Sequence, residues 1–337
     1  MCFKKSIIGF SADNAAHSQE VAAISLRATP NPTESGTMNV ASTNLLLNLP
    51  ESCVRRNWRN FRLLQQTASE VYNALQENGI AGNQYIVVNG LSKHAIEKFA
   101  NNKNVLGGIG YRFALEGAVG IIKIVPSAVH EVGTDSITRL MDKEFLPLGF
   151  SPCVNYTWAA ATRHLGTDTS QKEPDQCLVP NSRNTAAEEF DGWPTLVIEA
   201  GVSESFPRLQ ADSSWWFKHS GGMTRFVIVI TIQNSTKKIF IQKWQLAPVG
   251  SPNPLTKAYI EQLRQTSAMA PLLPQPVAMQ QAYCAQEIEV SVTPQETSVT
   301  GAPILLQSEA LFDVPNQPDI LLDDELFTLW AGRLFRN

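Results

Sequence analysis

The hydrophobic positions of the chain change their spacing along the sequence, and the change predicts where helices give way to strands. Between residues 58 and 75 the apolar residues recur every three to four positions, which predicts an amphipathic helix. From Tyr111 onward, two runs of strand character are separated by Glu116 and Gly117, which predicts a β-hairpin. A helical segment therefore precedes a region that contains strands.

The elements that follow the hairpin alternate between helix and strand. A helix is predicted from Thr134 or Asp135, either of which could cap it, to about Gly149, and "VNYTWAAAT" predicts a strand. The later elements are the strand Leu196–Val202, the helix Phe206–His219, and the strands Arg225–Ile232 and Ile239–Trp244. The order predicts an α/β fold.

Composition and pattern together predict five segments. Residues 1–50, rich in Ala, Ser, Thr, Asn and Pro, are expected to be disordered, and residues 51–111 to form a helical N-terminal extension. Residues 112–248 are expected to form the mixed-sheet core with flanking helices. Residues 249–303, rich in Pro, Gln, Ser and Thr, predict a linker or insertion, so the C-terminal region is expected to be partly disordered. Residues 304–337 predict a strand and a helix that pack on the core.

The charge of the chain is small overall but uneven along its length. The formal net charge of -4 does not indicate a nucleic-acid-binding protein. Residues 205–250 carry six basic residues and one acidic residue, whereas residues 285–337 carry nine acidic and two basic residues. We interpret these segments as solvated faces, and a surface for a polyanion is the alternative.

The cysteines and the hydropathy exclude several classes of protein. The five cysteines are scattered and form no CxxC pair, which argues against a disulfide framework and against a structural zinc site. No run approaches the ~18 apolar residues of a transmembrane helix, and the first residues do not resemble a signal peptide. The sequence predicts an intracellular protein, cytoplasmic or nuclear, that does not enter a membrane, and it gives no indication of the oligomeric state.

A carboxylate stands in the middle of the apolar strand "PTLVIEAGV". Alternation places Glu199 on the same face as Val197 and on the face opposite to Ile198. An unpaired charge in the middle of a sheet is costly, so Glu199 needs a cation, a group of hydrogen-bond donors or a proton. One interpretation is a structural salt bridge to a neighbouring Arg or Lys. The other is a functional site shared with Asp175.

The order of motifs around Glu199 resembles a known family. The matching pieces are Pro174–Asp175, the strand from Pro194 to Glu199, Ser203, the helix 206–219, Gly221–Gly222 and the strands 225–232 and 239–244. This layout resembles the PD-(D/E)XK restriction-endonuclease-like superfamily, and within it the bacterial Uma-type endonuclease-like family and its fungal relatives. The resemblance covers about residues 134–244, a third of the chain, and implies a restriction-endonuclease-like mixed-sheet core.

The resemblance also implies a site. Asp175 and Glu199 would be metal-binding carboxylates, with the backbone carbonyl of Ala200 as a further ligand, and Arg208 would assist contact with phosphate. Oxygen ligands of this kind suit Mg²⁺ or Mn²⁺, which could activate water beside a scissile phosphate. The chain would then be a divalent-metal-dependent nuclease or phosphodiesterase relative with nucleic acid as its partner.

The third member of the family motif is missing from this sequence. A lysine would be required at position 201, which is Gly201, and the shifted position of the Uma-type variant falls on residues 212–214, which are Asp, Ser and Ser. Arg208 and Asp212 lie one helical turn apart and are expected to pair. The alternative function is therefore a catalytically inactive copy of the fold that acts as a nucleic-acid or protein interaction module.

Overall fold

The computed structural model describes residues 37–39, 45–78, 82–125, 128–184, 192–202 and 206–335. All of them belong to one compact unit, Gly36–Asn337. Over these ranges the chain is an α/β fold with two mixed sheets and seven helices. None of the helices among these residues is long and apolar enough to cross a membrane.

The elements follow one another in a mixed order of strands and helices. The first half contains β1 (Thr37–Asn39), β2 (Val54–Asn57), α1 (Phe61–Glu77), β3 (Tyr85–Asn89), α2 (Lys93–Asn101), β4 (Tyr111–Glu116), β5 (Val119–Ile124), α3 (Ala128–Phe145), β6 (Tyr156–Ala159), β7 (His164–Leu165) and β8 (Gln171–Lys172). The second half contains β9 (Gln176–Pro180), β10 (Leu196–Val202), α4 (Phe206–His219), β11 (Phe226–Gln233), β12 (Lys238–Leu246), α5 (Lys257–Gln265), β13 (Gln281–Val292), β14 (Thr297–Thr300), β15 (Ile304–Leu306), α6 (Ser308–Phe312), β16 (Ile320–Leu322) and α7 (Asp324–Leu334).

The larger sheet has the strand order β1-β13-β12-β11-β10-β9-β6, with β14 paired to β13. Strands β10 and β11 are parallel and are connected by α4, whereas the other neighbours are antiparallel. Most residues of β10 and β11 are apolar on both faces, as is typical of central strands that helices or a second sheet cover on each side. The predicted strands and helix around Glu199 are confirmed.

The smaller sheet has the strand order β2-β3-β5-β4-β8-β7. Strands β2 and β3 are parallel and α1 connects them, whereas the remaining pairs are antiparallel. The predicted hairpin is confirmed as β4 and β5, and Gly117 in its turn has a positive φ of 61°, a conformation that glycine adopts without steric cost.

Three apolar clusters define the layers of the fold. Helices α1 and α2 cover the outer face of the smaller sheet, where Phe99 is fully buried. Helices α3, α6 and α7 cover one face of the larger sheet, around Trp330. Between the two sheets lie α4 and Trp216, packed with Tyr85 of the smaller sheet and Val197 of the larger one. The face of Glu199 is therefore the face between the sheets.

Two of the expected segment boundaries differ from the structure. The boundary between residues 111 and 112 falls inside the smaller sheet, because β2 and β3 of the expected helical extension pair with β5 of the expected core. Residues 249–303, expected to be a linker or insertion, contain α5 and the twelve-residue strand β13, which pairs with β12 inside the larger sheet. Polar and Pro-rich flanks surround this strand, and they dominate the composition of the segment.

The two terminal segments and α3 also differ in part from the expected elements. Of residues 1–50, expected to be disordered, residues 1–36 and 40–44 lie outside the described residues. Residues 37–39 form β1, which lies at the edge of the larger sheet and pairs with β13. Residues 304–335 contribute α6 and α7, which pack in the apolar cluster on one face of the larger sheet. Helix α3 begins at Ala128, so the expected caps Thr134 and Asp135 lie inside the helix and not at its start.

Candidate functional site

Asp175, the residue immediately before β9, lies opposite Glu199 of the neighbouring strand β10. Strands β9 and β10 are antiparallel, with Gln176 opposite Ile198, so the next pair along the ladder is Asp175 and Glu199. Both side chains point to the face between the two sheets, and their residues are 0% and 1% exposed. The structure therefore brings together the two carboxylates that the resemblance selects.

One ammonium group contacts both carboxylates. Nζ of Lys123, on β5 of the smaller sheet, lies 2.5 Å from Oδ2 of Asp175 and 3.8 Å from Oε2 of Glu199. The same oxygen of Asp175 accepts a hydrogen bond from the backbone N–H of Ala200 at 2.8 Å. Nε of Arg112, on β4, lies 3.4 Å from Oδ1 of Asp175. Asp175 is thus held by two cations of the smaller sheet and by the strand that carries Glu199.

A second ammonium group joins Glu199 to α4. Nζ of Lys172 lies 3.0 Å from Oε1 of Glu199 and 3.2 Å from Oδ2 of Asp212. The indole N–H of Trp216 donates a hydrogen bond of 2.7 Å to the same oxygen of Glu199. Glu199 therefore has two cations and one neutral donor around it, and the expected salt bridge to a lysine is present.

Arg208 is buried and paired through both of its terminal nitrogens. Nη2 lies 2.8 Å from Oδ1 of Asp212, which confirms the expected pairing one helical turn apart. Nη1 donates to the backbone carbonyls of Leu45 and Leu47. The residue is only 2% exposed. Arg208 would have to leave these partners before it could contact a phosphate, so the expected phosphate-binding role is not favoured by its position.

Burial and neighbouring charges shift the pKa values of Glu199 and Lys172. Burial raises the pKa of Glu199, with Asp212 acting in the same direction and Lys172 acting against it. Burial works against the charged form of Lys172, but Asp212 and Glu199 outweigh it, so the pKa of this lysine is raised above its ordinary value. Lys172 is therefore a cation at neutral pH, and its charge, like that of Lys123, opposes the effect of burial on the pKa of Glu199.

The residues present do not fit a divalent cation as they are arranged. Two carboxylates and the carbonyl of Ala200 are oxygen donors that Mg²⁺ or Mn²⁺ accepts. However, Lys123 already lies at the oxygens where the ion would bind, and Lys172 lies at the other oxygen of Glu199. Across the described ranges, no group of three or more His, Cys, Asp or Glu side chains could hold a metal ion.

Sequence reasoning missed the cations that surround the pair. Lys123 and Lys172 come from the smaller sheet and lie beside Asp175 and Glu199. One signal was available, because Lys123 interrupts the apolar run "GIIKI" just as Glu199 interrupts its own strand. Two charges of opposite sign in two buried strands indicate a buried pair.

Similarity to known proteins does not add a function to this arrangement. No protein-family model matches the chain, and a search among curated proteins finds no significant match.

Proposed function

We propose that the chain is a restriction-endonuclease-like protein that acts as an interaction module, with its carboxylate pair held by buried lysines. The element order α3, β6, β9, β10, α4 and β11 supports this fold, since it reproduces the succession of elements on which the resemblance depends. Glu199 lies on β10 of that core, and Asp175 immediately precedes the neighbouring strand β9. Binding of a partner, rather than hydrolysis, is then the function of the protein.

The observation that carries the proposal is the position of Lys123 between the two carboxylates. A divalent cation there would have to displace an ammonium group that lies 2.5 Å from Asp175. Breaking a buried pair by removing one partner costs about 3–5 kcal/mol, because the other charge is left uncompensated. Metal binding would have to offset this cost before any catalysis could begin.

Charge balance and burial support the same conclusion. The network among the described residues has three acids (Asp175, Glu199 and Asp212) and four bases (Arg112, Lys123, Lys172 and Arg208). The four basic groups outnumber the three carboxylates, so no metal ion is needed to balance the negative charge. A phosphodiester would also need to reach carboxylates that are at most 1% exposed, which requires the two sheets to separate locally.

A divalent-metal-dependent nuclease is the second candidate. The observation in its favour is that Lys123 and Lys172 place ammonium groups beside Asp175 and Glu199, where the lysine of the family motif is otherwise missing. Mg²⁺ or Mn²⁺, when bound, would supply an activated water and a counter-charge for the phosphate. Asp175, Glu199 and the carbonyl of Ala200 would then hold the ion, and Lys123 would have to leave its present position.

The proposal also places the protein inside the cell, in the cytoplasm or the nucleus. The four cysteines among the described residues, at positions 53, 153, 177 and 284, are free thiols. Free thiols persist in reducing compartments, whereas secreted proteins commonly oxidise them.

A cleavage assay with isosteric variants tests the proposal. The full chain is incubated with plasmid, single-stranded DNA or RNA and millimolar Mg²⁺ or Mn²⁺, beside Asp175→Asn/Glu199→Gln. The matched control is Asp135→Asn/Glu289→Gln, which removes two acids outside the buried network. We expect intact substrate with every protein and no Mn²⁺-induced rise in Tm. Cleavage by the parent and the control, lost in Asp175→Asn/Glu199→Gln, would replace the proposal with the nuclease.

A further inference from the structure

A cavity lies on the smaller sheet, outside the part of the chain that resembles the nuclease family. It has a volume of about 410 Å³ and is formed by the end of β2 and the first turns of α1. We call it the arginine groove, after Arg55, Arg56 and Arg59, which line it together with Asn57, Trp58 and Asn60. Its size is within the range of ligand-binding cavities, about 300–1,000 Å³.

The arginines of the groove differ from those of the buried network. Arg112 and Arg208 are paired with carboxylates, whereas Arg55, Arg56 and Arg59 are exposed and form no ion pair with an acid of the described chain. The one carboxylate of the lining is Glu70, which accepts a hydrogen bond from Gln66. Three like charges within five residues, against a single acid, create a positive potential that an anion would relieve.

The other groups of the groove indicate which kind of anion it would take. Guanidinium groups bind phosphate through paired N–H donors, and they remain charged at any physiological pH. Trp58 is half-buried, and its ring is held edge-on against Phe61 at a centroid distance of 4.8 Å. A fixed aromatic ring beside arginines suits an unstacked base as well as its phosphate.

We propose that the arginine groove binds the phosphodiester backbone of a single-stranded nucleic acid. Arg55 and Arg59 contact phosphates, and Trp58 stacks on a base. The inference depends on the proposed function, because it names the ligand of a protein that acts by binding. It places that ligand on the β2–α1 surface and not at Asp175 and Glu199.

Fluorescence anisotropy with a labelled single-stranded oligonucleotide, in EDTA, tests the groove. The variant Arg55→Gln/Arg59→Gln is compared with Arg62→Gln/Arg333→Gln, which removes the same charge from exposed arginines outside the lining. We expect at least tenfold weaker binding for the groove variant and less than twofold for the control. The slope of log K against log salt should fall in magnitude by about 1.4, since each contact with a single strand contributes about 0.7.

Further measurements show whether the groove binds a strand or a free phosphate, and whether the groove and the proposed function fail together or separately. A mononucleotide or inorganic phosphate should compete only at far higher concentration than an unlabelled strand, and equal competition would overturn the assignment to a strand. Equally weakened binding in both variants, or no binding by the parent, would contradict the proposal that the arginine groove binds the strand. If a partner protein bound the chain while the oligonucleotide did not, the interaction module would stand without the groove. Cleavage of the oligonucleotide on adding Mg²⁺, lost in Asp175→Asn/Glu199→Gln, would remove the proposed function and leave the binding result intact.

Discussion

The ammonium group of Lys172 lies 3.0 Å from Oε1 of Glu199, and this contact joins the two sheets of the protein. Lys172 is on β8 of the smaller sheet, whereas Glu199 is on β10 of the larger sheet. The contact between Lys123 and Asp175 also connects the two sheets, because Lys123 belongs to the smaller sheet. The carboxylates selected by the family resemblance therefore form the electrostatic link between the two halves of the fold.

Replacement of Lys172 should show how much this link contributes. The variant Lys172→Met keeps the aliphatic length of the side chain but leaves Glu199 and Asp212 without their shared cation. Because the loss of one partner leaves the other charges buried without compensation, we expect the free energy of unfolding to fall by about 3 kcal/mol or more. Urea unfolding followed by circular dichroism measures the change.

An exposed ion pair of the same chain supplies the control. Nζ of Lys238 lies 2.6 Å from Oε1 of Glu289, and both side chains are 40% exposed. Pairs in such positions contribute about 0.2–1 kcal/mol. Lys238→Met should therefore lower the free energy of unfolding by less than Lys172→Met does. If the two variants lost similar, small amounts of stability, the buried network would not link the sheets.

Two neighbouring tryptophans allow a second test of Glu199. The indole of Trp216 donates to the carboxylate of Glu199 at 2.7 Å, whereas that of Trp215 donates to the hydroxyl of Ser170 at 3.2 Å. Hydrogen bonds to charged groups contribute about 1.5–3 kcal/mol and neutral ones about 1 kcal/mol. Trp216→Phe should therefore destabilise the protein by about 1 kcal/mol more than Trp215→Phe, because both changes remove a similar volume.

The comparison is read from urea unfolding of the two variants under identical conditions. A larger loss for Trp215→Phe would mean that packing, and not the bond to Glu199, decides the role of these rings.

The local part of this site could be predicted from the sequence. Strand alternation correctly separates Val197 and Glu199 from Ile198, because the side-chain period of a strand is independent of its neighbours. Helical spacing correctly pairs Arg208 with Asp212, since residues four apart lie on one face of a helix. Both predictions depend only on backbone geometry within a single element.

The partners of Glu199 could not be predicted in the same way. Lys123 lies 52 residues before Asp175 in the chain, on a strand of a different sheet. Periodicity assigns a side chain to a face, but it does not say which layer covers that face. The same limit applies to β13, whose pairing with β12 brings a segment of linker-like composition into the larger sheet.

Removal of the central ammonium should create a metal response that the parent protein lacks. In Lys123→Ala the carboxylates of Asp175 and Glu199 lose the cation that lies between them, and a divalent ion can replace its charge. We expect Mn²⁺ at ten times its Kd to raise the free energy of unfolding of this variant by about 1.4 kcal/mol. Thermal unfolding with increasing Mn²⁺ measures the effect.

The matched control is Lys103→Ala, which removes a half-exposed lysine that pairs with Glu173 outside the carboxylate pair. It should show the same absence of a Mn²⁺ response as the parent protein. A Mn²⁺ response in the parent equal to that of Lys123→Ala would mean that Lys123 does not compete with a metal ion, and the nuclease would become the better function.

A buried histidine beside the network should make stability depend on pH. His164 is 6% exposed and packs between Trp193 and Trp216, with ring centroids 5.5 and 5.4 Å away. Burial lowers the pKa of His164 to about 4, whereas an unfolded histidine has a pKa of about 6.5. Between these values the unfolded chain binds a proton that the folded chain excludes, so the stabilisation is present above pH 6.5 and is lost as the pH falls towards 4.

The variant His164→Phe removes the titrating group and keeps an aromatic ring between the two tryptophans. From pH 7 to pH 5, we expect His164 to account for a fall of about 2 kcal/mol in the free energy of unfolding of the parent. Over the same pH interval, the free energy of unfolding of His164→Phe should therefore fall by about 2 kcal/mol less than that of the parent. Urea titrations at each pH measure both values. A Tm at pH 8 within a few degrees of the parent's would show that the ring is accommodated. An unchanged dependence on pH in His164→Phe would mean that His164 is protonated equally in the folded and unfolded chain, contrary to its burial.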